Sequence, residues 1–126
     1  MMEDKKHKAY NFGIFSEEVV AGEYVKKGYA ILERRFKVGK SEIDIIARND
    51  NVVVFIEVKG RSGKDEDALS AVTVDKRKRM VRVADGYLKK LEGWCEYRFD
   101  IATVTGNQDS YQIEIYEDAF MAADLF

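Results

Sequence analysis

The chain has 126 residues, the usual size of one domain, with 46% hydrophobic and 35% charged residues and a formal net charge of −2. That balance excludes a disordered chain, and no apolar run reaches the roughly 20 residues that cross a bilayer. A single cysteine, Cys95, and a single histidine, His7, exclude a disulfide framework and a His/Cys zinc cluster, so any metal must be a hard cation held by oxygens.

The N-terminal "MMEDKKHKAY" is charged and has no apolar segment of signal type behind it, so a cytoplasmic protein is expected. From about residue 9 to 27, "AYNFGIFSEEVVAGEYVKK" spaces Phe15, Val19, Val20 and Val25 as a helix does and stops at Gly28. "YAILERRFK" reads as a strand whose polar second half suits an edge. "SEIDIIARN" and "NVVVFIEVK" are strands joined by turn residues. "GRSGKDED" is a charged, glycine-bearing loop. "VDKRKRMVRVADGYLKKLEG" is an amphipathic helix with Val74, Val81, Ala84, Leu88 and Leu91 along one side. Tyr87 and Trp94 read as core or helix-end packing. "YRFDIATVT" and "YQIEIYE" form a second hairpin, and a short helix is expected from about Asp118. The order α-β-β-β-α-β-β-α fits one domain over residues 1–126, of α/β class, with helices flanking a mixed sheet.

Two acids stand where a sheet built only for stability would not place them. With a two-residue turn at Asp50–Asn51, Asp44 falls directly opposite Glu57, with Cβ atoms about 5 Å apart. Lys59, two residues on, points to the same face. Facing carboxylates repel, and a divalent cation turns that repulsion into attraction. The plain alternative is a ladder of ion pairs, since the same register sets Glu42 opposite Lys59. The basic residues are unevenly placed, in "ERRFKVGK", in "KGRSGK" (Lys59, Arg61, Lys64) and in "DKRKRMVR" (Lys76, Arg77, Lys78, Arg79, Arg82). A near-neutral total can therefore hide a basic face suited to phosphates, although solvated helix faces would also account for it.

Asp44 followed by "EVK" at 57–59 resembles the signature of the PD-(D/E)XK, or restriction-endonuclease-like, superfamily. The blocks "GYAILERRFKVGKSEIDIIARNDNVVVFIEVKGRS", "AVTVDKRKR", "RFDIATVTGN" and "EDAF" resemble, in order, those of the YraN-like family of small bacterial proteins. The resemblance implies an αβββαβ core and a site for Mg²⁺ or Mn²⁺. Asp44 and Glu57 match the metal-binding acids, Lys59 the catalytic lysine, and Glu18 a helix acid in a pattern like E-x-x-A-x-x-Y, with Glu17 as its rival. The Val58 carbonyl would complete the metal ligands, while Arg61, Lys76, Arg77 and Arg79 would hold phosphates. Ser41 and Gly60 stand where the family usually has glycine and threonine. The activity implied is a metal-dependent deoxyribonuclease, with branched or single-stranded DNA among its candidate substrates and a homodimer among its candidate states. The alternative is a DNA-binding or scaffold module of the same fold without turnover.

Overall fold

The computed structural model describes residues 2–63 and 70–126, and the side chains from residue 7 onward; Lys64 and most of the charged loop expected after Arg61 lie outside the described residues. The elements in order are α1 (Met2–Lys26), β1 (Ala30–Val38), β2 (Ser41–Asn49), β3 (Val52–Arg61), α2 (Val74–Leu88), β4 (Glu96–Gly106) and β5 (Tyr111–Phe120). The strands form one sheet in the order β1-β2-β3-β4-β5. All neighbours are antiparallel except β3 and β4, which run parallel and are joined through α2. This is the mixed α/β architecture that the alternation of patterns predicts.

Each helix covers one face of the sheet, and alternate strand residues divide between them. On the α1 face, Val20, Ala21 and Tyr24 meet Ile45, Val54, Ile56 and Ala102. On the α2 face, Met80, Val83, Ala84 and Tyr87 meet Val53, Phe55, Phe99 and Ile101. Both helical stripes follow the spacing of one helix face. Val25 and Val74, expected on those stripes, are exposed.

Helix ends follow local chemistry. Gly28, at φ 95°, ends α1. The Tyr29 amide donates to the Tyr24 carbonyl and the Gly28 amide to that of Val25, which together make a Schellman cap. At the start of α2, the Thr73 hydroxyl accepts from the Lys76 amide at 3.2 Å, a cap whose loss costs about 1 kcal/mol. The helix ends at Leu88, before the expected Gly93, and Trp94 in the coil beyond is 75% exposed rather than packed.

The C-terminal helix expected from Asp118 is instead strand. Asp118 takes φ 52°, and its amide donates to the Oδ1 of Asp100 at 3.0 Å. Asp100 is fully buried and also binds the Tyr24 hydroxyl (2.6 Å) and the Arg98 guanidinium (2.9 Å). That anchored irregularity lets β5 continue to Phe120, and only a single 3-10 turn, Ala122–Asp124, follows.

Candidate functional site

The β2–β3 hairpin turns at Asp50–Asn51, with Asp50 at φ 53°. Its ladder runs from Asn49↔Val52 to Ile45↔Ile56, the register the two-residue turn requires, and ends there. The next pair along that register is Asp44 and Glu57, where the strands part. In place of a ladder bond, Asp44 Oδ2 accepts from the Val58 amide at 2.8 Å. Ile45 belongs to the α1-side core and Ile43 to the α2-side core, so β2 rotates at Asp44. Arg35 of neighbouring β1 takes φ 51° at the same level, between the pairs Arg34↔Ile45 and Phe36↔Ile43. The ladder of Glu42 with Lys59 does not form; Glu42 lies opposite Lys37 of β1.

Glu57 alternates with Phe55 and Val53 and so faces α2. Its side chain is 12% exposed, and Lys76 Nζ on the first turn of α2 stands 3.5 Å from its Oε2. Its Oε1 is buried without a hydrogen-bond partner. Burial, the neighbouring Asp44 charge and a hydrogen bond with Asp44 together push the Glu57 carboxyl up to about 8, against a smaller opposing pull from Lys76. The two acids are therefore held against each other in a desolvated crevice.

Lys59 follows on the same side of β3, exposed and without an ion pair among the described residues. Lys76, expected to lie nearest the metal of the four basic residues set at phosphates, is the lysine paired with Glu57. Arg61 Nε donates to the Thr105 hydroxyl at 3.3 Å. Arg77 turns toward the C-terminal end of β5, where its Nε donates to the Val72 carbonyl at 2.8 Å and its guanidinium lies over the Phe120 ring. Arg79 is exposed. The four residues expected at phosphates thus divide between the crevice and other surroundings.

The helix acids are placed differently from the expectation. Glu18 is 64% exposed and lies 3.3 Å from Arg34. Glu17 is 15% exposed and binds Arg35 at 2.9 Å, because it continues the buried stripe of Val20, Ala21 and Tyr24 toward the N-terminus. Neither joins the crevice: among the described residues, no three His, Cys, Asp or Glu side chains converge as for a metal ion. Two carboxylates and the neighbouring Val58 carbonyl remain. They suit a magnesium-type ion, which commonly takes one or two protein carboxylates and keeps waters or substrate oxygens for its other positions. The unpartnered Glu57 Oε1 fits that role, because a buried carboxylate oxygen left bare is costly.

Gly60 has a structural reason in this chain. A Cβ there would stand 2.7 Å from Ser16 Oγ and 3.1 Å from the Phe12 ring, so α1 comes close to β3 only because the residue is glycine.

Residues 16–104 match the model of the Uncharacterised protein family UPF0102. The chain belongs to that family. It is 40% identical to a UPF0102 protein of Phocaeicola vulgatus, over 86% of this chain and 91% of that one. It is 43% identical to one of Chlorobaculum parvum, over 85% and 90%, and 38% identical to one of Clostridium perfringens, over 90% and 98%. The YraN-like blocks read in the sequence are those of this family, which lies within the restriction-endonuclease-like superfamily. Among the described residues, no helix of this UPF0102 chain is long and apolar enough to cross a membrane.

Proposed function

We propose that the chain is a metal-dependent deoxyribonuclease that hydrolyses phosphodiester bonds at the Asp44–Glu57 crevice. The observation that carries this reading is the half-buried acid pair itself, with one buried oxygen of Glu57 unpartnered and Lys76 beside it. Asp44 and Glu57, with the Val58 carbonyl, would hold Mg²⁺ or Mn²⁺. When bound, such an ion lowers the pKa of a coordinated water and neutralises charge on the phosphate. Asp44 is kept in place by the Val58 amide, and so needs no reorganisation to serve. Lys59, exposed on the same face, would orient the attacking water or stabilise charge developing on the phosphate. Lys76, 3.5 Å from Glu57 Oε2, is a phosphate contact when substrate arrives. Arg61 and Arg79 would position the strand without reading its sequence. The helix acid Glu18 enters through the family pattern alone, and Glu17 lies on the more buried side of α1.

A second reading, a DNA-binding module without turnover, draws on the absence of a third converging acid among the described residues. Cleavage separates the two. Wild type should cut labelled DNA in Mg²⁺ or Mn²⁺ and not in EDTA, while Asp44→Asn should bind DNA and not cut. Binding by wild type without cutting in either metal, across blunt, branched and single-stranded substrates, would establish the second reading.

A further inference from the structure

At the end of the sheet that carries the crevice, but on the α1 flank, a cavity of about 690 Å³ opens between α1, the end of β3 and the β4–β5 turn. That is the size of sites that take small organic ligands. Its walls supply three chemistries. Lys8 and Arg61 bring positive charge, offset in part by Asp109, Phe12 an aromatic ring, and Asn11, Asn107 and Gln108 amide groups. The ring is fixed in place: it stacks on Phe15 with centroids 6.0 Å apart, and glycine at position 60 lets it lie against β3. Asn107 Oδ1 accepts from the Asp109 and Ser110 amides at 2.9 Å, which orients its amide nitrogen as a donor.

Cations for a phosphate, a ring for a base to stack on and amides for a base edge are the requirements of a nucleotide. A purely apolar ligand would leave the cations and amides unused, and a simple anion would leave the ring unused. The cavity wall begins at Gly60, the residue after Lys59, so the cavity and the crevice share the end of β3 while opening on opposite faces of the sheet. A base stacked and paired in a duplex cannot enter such a pocket without leaving its stack. We propose that this cavity receives an unpaired nucleotide of the DNA strand being cut, so that the substrate carries a single-stranded segment beside the scissile bond. The position of the nucleotide relative to the cut rests on the nuclease reading; its binding does not.

Fluorescence anisotropy in EDTA, where there is no turnover, tests this with a blunt duplex and the same duplex carrying a short single-stranded tail. Phe12→Leu keeps most of the side-chain volume and removes the ring. It should weaken binding of the tailed duplex about tenfold, within the range expected for one lost base stack, and leave the blunt duplex unchanged. The double variant Lys8→Ala, Gln108→Ala, which leaves the helix–sheet packing alone, should erode the same preference and decides the matter if Phe12→Leu does not fold. Equal losses on both duplexes, or no loss on either, would overturn the proposal. If the tail preference and its loss in the variants persist in a chain that cuts nothing in Mg²⁺ or Mn²⁺, the cavity is upheld and the nuclease reading falls.

Discussion

Replacing Glu57 by glutamine should change how stability depends on pH. The Glu57 carboxyl is raised from 4.5 to about 8, first by burial and then by Asp44. Between those values the folded chain holds a proton that the unfolded chain has released, so stability must fall as pH rises through the window. The full difference is about 5 kcal/mol at 1.36 kcal/mol per unit, and roughly 3 kcal/mol of it falls between pH 5.5 and 8.5. Glutamine keeps the size, cannot ionise, and can still donate to the Asp44 carboxylate. Urea denaturation in EDTA across this range should show wild type losing that stability while Glu57→Gln changes by less than about 1 kcal/mol. At pH 8.5 the variant should be the more stable protein. A wild-type stability that is flat or rises between pH 5.5 and 8.5 would refute the reasoning.

Lys59→Ala should abolish cleavage while leaving the affinity for DNA nearly unchanged, as gel-shift titration and a cleavage time course would show together, because its proposed role lies in the transition state. Arg79→Ala should reduce the slope of log affinity against log salt by about 1, whereas Arg77→Ala should leave that slope alone and lower the unfolding midpoint, since Arg77 is bound to the Val72 carbonyl and lies over Phe120. Gly60→Ala should cost about 1–3 kcal/mol in denaturant unfolding, because its Cβ would meet Ser16 and Phe12.

The hairpin register was legible because turn length fixes it: two residues at Asp50–Asn51 leave no freedom in which residues face each other. The nearness of Asp44 to Glu57 was legible as the step just past the last ladder pair, Ile45↔Ile56, whereas the parting of the strands there was not. That Lys76 would be the basic residue nearest the acids was legible from its place at the start of α2. Its direct ion pair with Glu57 was not, because that depends on how the crossover returns α2 across the sheet. Arg77 was misplaced on the same account, since a run of basic residues on a helix does not say which one meets the end of β5. Glu18 was preferred over Glu17 because Val25 was counted into the buried stripe. With Tyr24 in its place, anchored to the buried Asp100, the stripe rotates by one residue and takes Glu17 with it. The strand after Asp118 was hidden for a related reason, as a positive φ held by a distant carboxylate leaves no local signal.

The central claim is that Asp44 and Glu57 form a site for a divalent cation on which hydrolysis depends. Calorimetric titration of the protein with Mn²⁺ at pH 7, in two buffers of different ionisation enthalpy, tests it most directly. With the Glu57 carboxyl pushed up to about 8 by burial and Asp44, the group is mostly protonated at pH 7, so binding one ion per chain should release a proton. Asp44→Asn should lose the binding. No heat beyond dilution in wild type, or equal affinity in Asp44→Asn, would contradict the account.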